Sequence, residues 1–130
     1  MQALLLRDVD ARVIVKAGQR QSVTTVVVQH GDLDVLGAAG DADALAWAEN
    51  TDGVGTQWAP HLLTTTFGGA RSVYAADMDG DGDIDVLGAA GNANAVAWWE
   101  NLDGTSTSWA LHLISPDVPG AYGVFAADVD

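Results

Sequence analysis

The sequence predicts an all-β fold of four-stranded antiparallel sheets packed as the blades of a β-propeller, with about two blades per chain. Three observations support this prediction. GDLDVLGAAG at residues 31–40 returns as GDIDVLGAAG at 82–91, an offset of 51 residues. Short apolar runs alternate with Gly, Asn and Asp turns, and no stretch keeps a sustained helical period. A repeat of roughly 40–50 residues with four strands is typical of a propeller blade.

The repeat runs through most of the chain without a gap. Residues 31–79 and 82–130 are identical at 29 of 49 aligned positions, which indicates duplication rather than shared composition. We therefore divide the chain into an atypical N-terminal segment (1–30), a first repeat (31–81), and a second repeat with the start of a further blade (82–130). In the N-terminal segment, ARVIVKA and SVTTVVV predict a β-hairpin.

One period of the repeat contains four predicted strands. They are RSVYAAD (71–77), DVLGAAG (85–91), AVAWWEN (95–101) and SWALHLIS (108–115), separated by an acidic turn, a NAN turn and LDGTST. Small residues such as Ala89 and Ala90 suit tightly packed inner strands. The tryptophans that recur with the repeat suit the spaces between sheets; these are Trp47 with Trp98 and Trp58 with Trp109.

Composition limits the possible partners. With 130 residues, 48% of them hydrophobic, the chain is long enough to bury a core. Its formal net charge of −13 would repel nucleic acid and anionic lipid, so we expect neither as a partner. We find no apolar run long enough for a membrane-spanning helix and no signal peptide in this chain. The absence of cysteine excludes disulfides and thiolate metal sites.

The stretch DMDGDGDID, residues 77–85, concentrates five aspartates at alternate positions. Like charges this close repel, and a set of oxygen ligands selects a hard cation, with Ca²⁺ as the first choice. In the pattern D-x-D-x-D-G-x-x-D we expect Asp77, Asp79 and Asp81 to point inward, Gly82 to permit the turn, Asp83 to offer its backbone carbonyl, and Asp85 to complete the shell. An EF-hand is excluded, because its twelfth position would fall on Gly88. The alternative is a solvated acidic turn without a metal.

The two other copies of this loop are incomplete. In the gap-free alignment, positions one, three and five of the first copy fall on Val26, Val28 and His30, leaving Asp32 and Asp34. The last copy supplies Asp128 and Asp130. We therefore expect calcium at one loop of the chain.

FGGARSVYAADMDGDGDIDVLGAA, residues 67–90, resembles an FG-GAP/VCBS repeat, and the resemblance extends over residues 31–130. Two features depart from the family pattern: Val118-Pro119 replaces Phe-Gly in the second unit, and Ala90 replaces the signature Pro. The resemblance implies a propeller blade of the kind found in integrin α-chain heads, fungal lectins and many secreted bacterial proteins. It also implies an extracellular or cell-surface location, and a calcium ion held by Asp77, Asp79, Asp81, the carbonyl of Asp83, and Asp85.

No nucleophile motif, histidine metal pair or phosphate-binding glycine loop is present in the sequence. His61 and His112 recur with the repeat, as do Glu49 and Glu100, which indicates packing or turn chemistry rather than catalysis. Trp99 does not recur, because Ala48 is its counterpart. It is a candidate for stacking on a ligand, with burial between blades as the alternative.

The expected function is therefore a calcium-binding, non-catalytic binding or adhesion module, with a protein or a glycan as its ligand. A carbohydrate-binding, lectin-like propeller and a structural propeller fragment are the alternatives, and an enzyme would need catalytic groups from more than one chain.

Two blades are too few to close a propeller, which leads us to expect a homo-oligomer, with a trimer of two-blade chains as the favoured geometry. A monomer whose N-terminal hairpin covers an edge is the alternative. We also consider that the strand YGVFAADVD (122–130) pairs with GDLDVLGAAG of another copy. In the competing arrangement, SVTTVVV (22–28) fills that place within its own chain.

Overall fold

The computed structural model describes residues 21–27 and 33–130, with the backbone alone for 21–27. These residues form eight β-strands and one short 3-10 helix. The elements are β1 Gln21–Val27, β2 Leu33–Ala39, the 3-10 helix Gly40–Ala42, β3 Ala44–Asn50, β4 Trp58–Thr64, β5 Ala70–Ala76, β6 Asp85–Ala90, β7 Ala95–Asn101 and β8 Trp109–Ser115. None of the described segments is a helix long and apolar enough to cross a membrane.

The strands form two antiparallel sheets with the same topology. β1-β2-β3-β4 make the first sheet and β5-β6-β7-β8 the second, each strand paired with its neighbour in sequence. Short turns allow this because antiparallel strands need only a tight connection. The all-β prediction is confirmed, and the four strands predicted within residues 71–115 form the second sheet. Residues 82–130 themselves contain three strands, β6, β7 and β8, because the first strand of each sheet precedes its repeat. Sheet boundaries differ from repeat boundaries, since β5 lies in the first repeat by sequence but opens the second sheet.

The core lies between the two sheets. The first sheet contributes Leu36, Leu45 and Trp47, the second contributes Val73, Val86 and Trp99, and the β4–β5 connection adds Phe67, all buried. Alternate residues of a strand face opposite sides of a sheet, so these side chains define one face of each sheet. β5 packs across β1 and β2. All six residues of β6 are buried, which fits an inner strand covered on both faces.

β1 occupies the first-strand position of its own sheet. It pairs with β2 in the register Val26↔Asp34. The intrachain arrangement, with β1 in the first-strand position, is thus the one observed within the chain. Residues 122–130 could pair with β2 of another copy only if β1 left that edge, and this pairing stays a prediction. The other half of the predicted hairpin, ARVIVKA, lies outside the described residues.

The register of β1 also corrects the gap-free alignment. In the second sheet Ala76 pairs with Asp85, whereas Val26 pairs with the equivalent Asp34. Val26 is therefore the counterpart of Ala76, and Val27 is the counterpart of Asp77. The connection is one residue shorter in the first sheet (27–33 against 77–84). The expectation that the first copy of the loop holds no calcium is unchanged, because Val27 also lacks a carboxylate.

Residues 118–130 follow the path that residues 67–79 take one repeat earlier. Asp43 and its counterpart Asn94 share a left-handed φ of 53°. Each accepts one hydrogen bond at its backbone oxygen and one at its side-chain oxygen, from Phe67 N and Gly69 N in the first case and from Val118 N and Gly120 N in the second. Farther along, Phe125 packs on Tyr74 at 4.6 Å between ring centroids. This segment thus lies against the second sheet as β5 lies against the first.

Candidate metal centre

The aspartate loop connects β5 to β6 at one end of the second sheet. Carboxylate oxygens of Asp77, Asp79 and Asp85 lie within 4.8 Å of one another. Asp77 follows the last residue of β5 and Asp85 begins β6, so the sheet fixes both ends of the group. Among the described residues this is the one place where three or more potential metal-ligating side chains converge in this way.

Hydrogen bonds from the backbone shape the loop around Asp77. Its Oδ1 accepts a bond from Gly80 N at 2.8 Å and its Oδ2 one from Gly82 N at 2.9 Å. Gly80 and Gly82 have φ of 80° and 94°, a region that side chains with a Cβ rarely enter. The turn that the sequence predicts at Gly82 is therefore present, and it needs glycine because its φ is positive.

Asp85 anchors the loop to the sheet. Its side chain is buried, its Oδ2 accepts a bond from Met78 N and its Oδ1 one from Asn101 N, both at 2.8 Å. The bond to Met78 closes the loop on itself, and the bond to Asn101 ties it to the end of β7. Each oxygen keeps a further lone pair for a cation.

The side chains of Asp81 and Asp83 lie outside the converging group, and the backbone carbonyl of Asp83 as a ligand stays a prediction. Asp81 Oδ1 accepts a hydrogen bond from Asp83 N at 2.8 Å. Asp83 lies against the β7–β8 loop, where a Cβ added at Gly104 would be 2.9 Å from Asp83 Oδ1. The structure therefore brings together the side chains of Asp77, Asp79 and Asp85. The side chain of Asp81 takes part in the local turn, and that of Asp83 lies beside Gly104.

The electrostatics of the loop favour a cation. Backbone hydrogen bonds, first that from Gly82, lower the pKa of Asp77. Desolvation, with repulsion from Asp81, raises the pKa of both Asp79 and Asp85. A raised carboxylate pKa means that the ionised form is disfavoured until a positive charge compensates it. Three convergent oxygens, a buried anchor and uncompensated negative charge fit a hard divalent cation.

The first sheet has a buried aspartate equivalent to Asp85, but its described residues include no converging group of three carboxylates. Asp34, the counterpart of Asp85, is buried, and its Oδ1 accepts a hydrogen bond from Asn50 N at 2.8 Å, as Asp85 does from Asn101 N. Val27 stands in the place of Asp77 by register. The residues between Val27 and Leu33, including Asp32 and His30, lie outside the described part of the chain.

For Trp99 the sequence leaves two alternatives, stacking on a ligand and burial between blades. Its side chain is 5% exposed and contacts Phe67 edge to face at 5.0 Å, between the two sheets. The alternative, burial between the sheets, is therefore the one observed. Trp99 also lines a small apolar pocket with Leu111 and Leu113, and its ligand-binding role stays a prediction. The second sheet has a Trp where the first has Ala48, and this Trp fills the space beside Phe67. The repeat alignment contains no information about this contact.

The recurring histidines form cross-strand groups with the recurring tryptophans and glutamates. His61 stacks on Trp47 at 4.2 Å and lies 3.0 Å from Glu49, and the same arrangement recurs in the second sheet at 4.5 and 2.7 Å. Each group joins the third strand to the fourth. Their recurrence and contacts support a structural role.

The fold and the loop together define a class of protein: repeated four-stranded antiparallel sheets, each of the propeller-blade kind, with an aspartate loop between the first two strands of one sheet. The sequence model of the FG-GAP-like repeat matches residues 29–88 and again 77–130. The chain therefore belongs to the FG-GAP-like repeat family. No curated protein and no solved structure matched the chain.

Proposed function

We propose that this chain is a calcium-stabilised, non-catalytic binding module of the β-propeller type that acts outside the cell or at its surface. The observation that carries the calcium assignment is the convergence of Asp77, Asp79 and Asp85 in a loop of negative charge. Membership of the FG-GAP-like repeat family supports a binding or adhesion role and an extracellular location.

The described residues indicate how the loop would hold the ion. Asp77, Asp79 and Asp85 would supply carboxylate oxygens, with Asp81 and the backbone carbonyl of Asp83 as the further oxygens that the family pattern implies. A bound Ca²⁺ would neutralise part of the charge. Asp85 would transmit this to the sheet, because it is bonded to both Met78 and Asn101. The metal is thus proposed as a structural element of the module.

Calcium titration monitored by thermal unfolding tests the proposal. Ca²⁺ that binds the folded state alone should stabilise it by about 2.7 kcal/mol at a hundredfold excess over Kd. Asp79→Ala should remove most of this shift, because Asp79 belongs to the group but makes few other contacts. Asp41→Ala, which removes an exposed carboxylate of the first sheet, is the matched control and should keep it. The proposal would be refuted if neither Ca²⁺ nor chelator changed the melting temperature of the wild type.

The ligand of the module is proposed as a protein, with a glycan as the second candidate. Trp99 was the candidate for stacking on a sugar, and its burial between the sheets weakens the support for a glycan. A glycan array with the calcium-loaded chain separates the two. Selective binding of one sugar class would favour a lectin.

We also propose that copies of the chain associate through the open face of the second sheet. Trp47 is 1% exposed because the second sheet covers it, whereas its counterpart Trp98 remains half-buried. Ile114, on the same face by its position in β8, is 52% exposed. The opposite face of the first sheet is already buried at Val35, Ala46 and Ala48, which opposes the ring of three expected from the sequence. A pair of copies joined at their open faces is therefore the assembly we propose.

A further inference from the structure

Asn101 touches the aspartate loop at two points. Its backbone N–H donates to Asp85 Oδ1 at 2.8 Å, and its side-chain Nδ2 donates to the carbonyl oxygen of Ile84 at 3.2 Å. The side chain is 1% exposed. A buried amide that bonds the peptide immediately before Asp85 fixes the direction in which that peptide, and hence the Asp85 carboxylate, can point.

Ser106 holds Asn101 in this position. Ser106 N donates to Asn101 Oδ1 and Asn101 Nδ2 donates to Ser106 Oγ, both at 3.2 Å. The serine is 3% exposed and its φ is 60°, in the left-handed region that a residue with a Cβ rarely adopts. Such a conformation persists where the surrounding contacts hold it, and here those contacts are the reciprocal pair with Asn101 and the hydrogen bond from Trp109 Nε1 to the Ser106 carbonyl oxygen.

The first sheet provides an internal comparison. There the equivalent residue is Gly55, with φ of 82°, and Gly55 N donates to Asn50 Oδ1 at 3.0 Å. Among the described residues, Nδ2 of Asn50 has no counterpart of the bonds to Ile84 and Ser106. Asn50 is half-buried, whereas Asn101 is buried. The strained serine and the buried amide therefore occur in the sheet that has the complete aspartate loop, and glycine occurs in the sheet that lacks it.

We infer that Asn101 and Ser106 are positioning residues for the cation site, holding the Ile84–Asp85 peptide so that the Asp85 carboxylate faces Asp77 and Asp79. The inference rests on the proposed calcium site. It goes beyond that site in assigning a role to the β7–β8 loop, which contributes no ligand. Since coupling between two sites is reciprocal, an ion in the aspartate loop should in turn order residues 101–106.

The sharpest test is Ser106→Gly, because it installs the residue found in the first sheet. In chelator its thermal stability should stay close to that of the wild type, because the relief of the left-handed strain offsets the loss of the hydrogen bond from Asn101 Nδ2 to Ser106 Oγ. Its affinity for Ca²⁺, measured by isothermal titration calorimetry with CaCl₂, should nevertheless fall about tenfold, the range seen when groups that orient metal ligands are removed. Asn101→Ala should lower affinity further, and Asn50→Ala should leave it unchanged.

Hydrogen exchange supplies a second readout that does not depend on affinity. Added Ca²⁺ should slow amide exchange in residues 101–106 and leave residues 50–55 as they are. Wild-type protein that binds no Ca²⁺ would overturn the proposed function and this inference with it. If the wild type binds Ca²⁺ while Ser106→Gly and Asn101→Ala bind it equally well, or if exchange at 101–106 ignores the ion, the positioning role alone is refuted.

Discussion

Asp34 and Asp85 show that one aspartate of the repeat has a structural duty separate from metal binding. Both are buried, and each accepts a hydrogen bond from the backbone N–H of the asparagine that ends the third strand of its sheet. The spacing of the five aspartates was enough to predict a metal loop and Asp85 as its last ligand. It could not predict this bond, because the donor lies 16 residues farther along the chain and depends on sheet register.

Replacing each of these aspartates should separate the two duties. Asp34→Ala and Asp85→Ala should each lower the free energy of unfolding in chelator by roughly 1–3 kcal/mol, because each leaves a buried N–H without its acceptor. Only Asp85→Ala should also lose the stabilisation by Ca²⁺. Urea unfolding with and without CaCl₂ measures both effects. Equal responses of the two variants to Ca²⁺ would mean that Asp85 is not a ligand.

At the scale of the single element, local pattern predicted the strands well. RSVYAAD (71–77) corresponds to β5 at Ala70–Ala76, and SWALHLIS (108–115) to β8 at Trp109–Ser115. Strand formation depends on nearby alternation and turns, which a sequence displays. The register of β1 was missed by one residue because pairing is decided by contacts across the sheet, and a gap-free alignment assumes equal connections.

The loops between the third and fourth strands are built around an aspartate in both sheets. Asp52 accepts hydrogen bonds from Thr56 Oγ1 and from three backbone N–H groups, and Asp103 accepts them from Thr107 Oγ1 and two backbone N–H groups. These bonds, first those from the threonine hydroxyls, lower the pKa of both carboxyl groups. Asx and hydroxyl bonds of this kind stabilise the D-G-x-x-T turn that both sheets share.

Acid should weaken these loops, and the sign follows from the lowered pKa values. A carboxyl group that binds its proton less readily when folded contributes stability above its unfolded pKa of about 3.9 and loses it as pH falls through its folded pKa. We therefore expect Asp103→Ala to be less stable than the wild type at pH 7, with the difference shrinking between pH 4 and pH 2. Urea unfolding across that range measures it.

Asp117→Ala is the control for that series, because Asp117 is exposed and accepts no such set of loop bonds among the described residues. Its difference from the wild type should be small at every pH. If the difference in free energy of unfolding between Asp103→Ala and the wild type did not change with pH, the charge of the Asp103 carboxylate would contribute nothing to stability.

For the whole molecule, the repeat predicts that every blade packs against a neighbour on both faces. The contacts within one chain cover only some of these faces. The face of the first sheet that contains Trp47 is covered by the second sheet. On the equivalent face of the second sheet, Leu87 and Ala89 of β6 are buried, whereas Trp98 is half-buried and Ile114 is exposed. The sequence could indicate that blades need neighbours. It could not indicate which faces stay open, because that depends on where the segments flanking the repeats pack.

The open face should therefore govern association. In about 0.15 M salt, which limits repulsion between chains of formal net charge −13 to roughly 8 Å, we expect light scattering to give the mass of two copies. Trp98→Glu should reduce this to one copy, because it places a charge where Trp98 and Ile114 would be buried against the partner. Val54→Glu makes the same charge change at a loop residue that is 76% exposed and should keep the assembly. A wild type that stays monomeric at high concentration would refute association, and a mass of three copies would support the ring, with the first sheet's outer face opened to accept a neighbour.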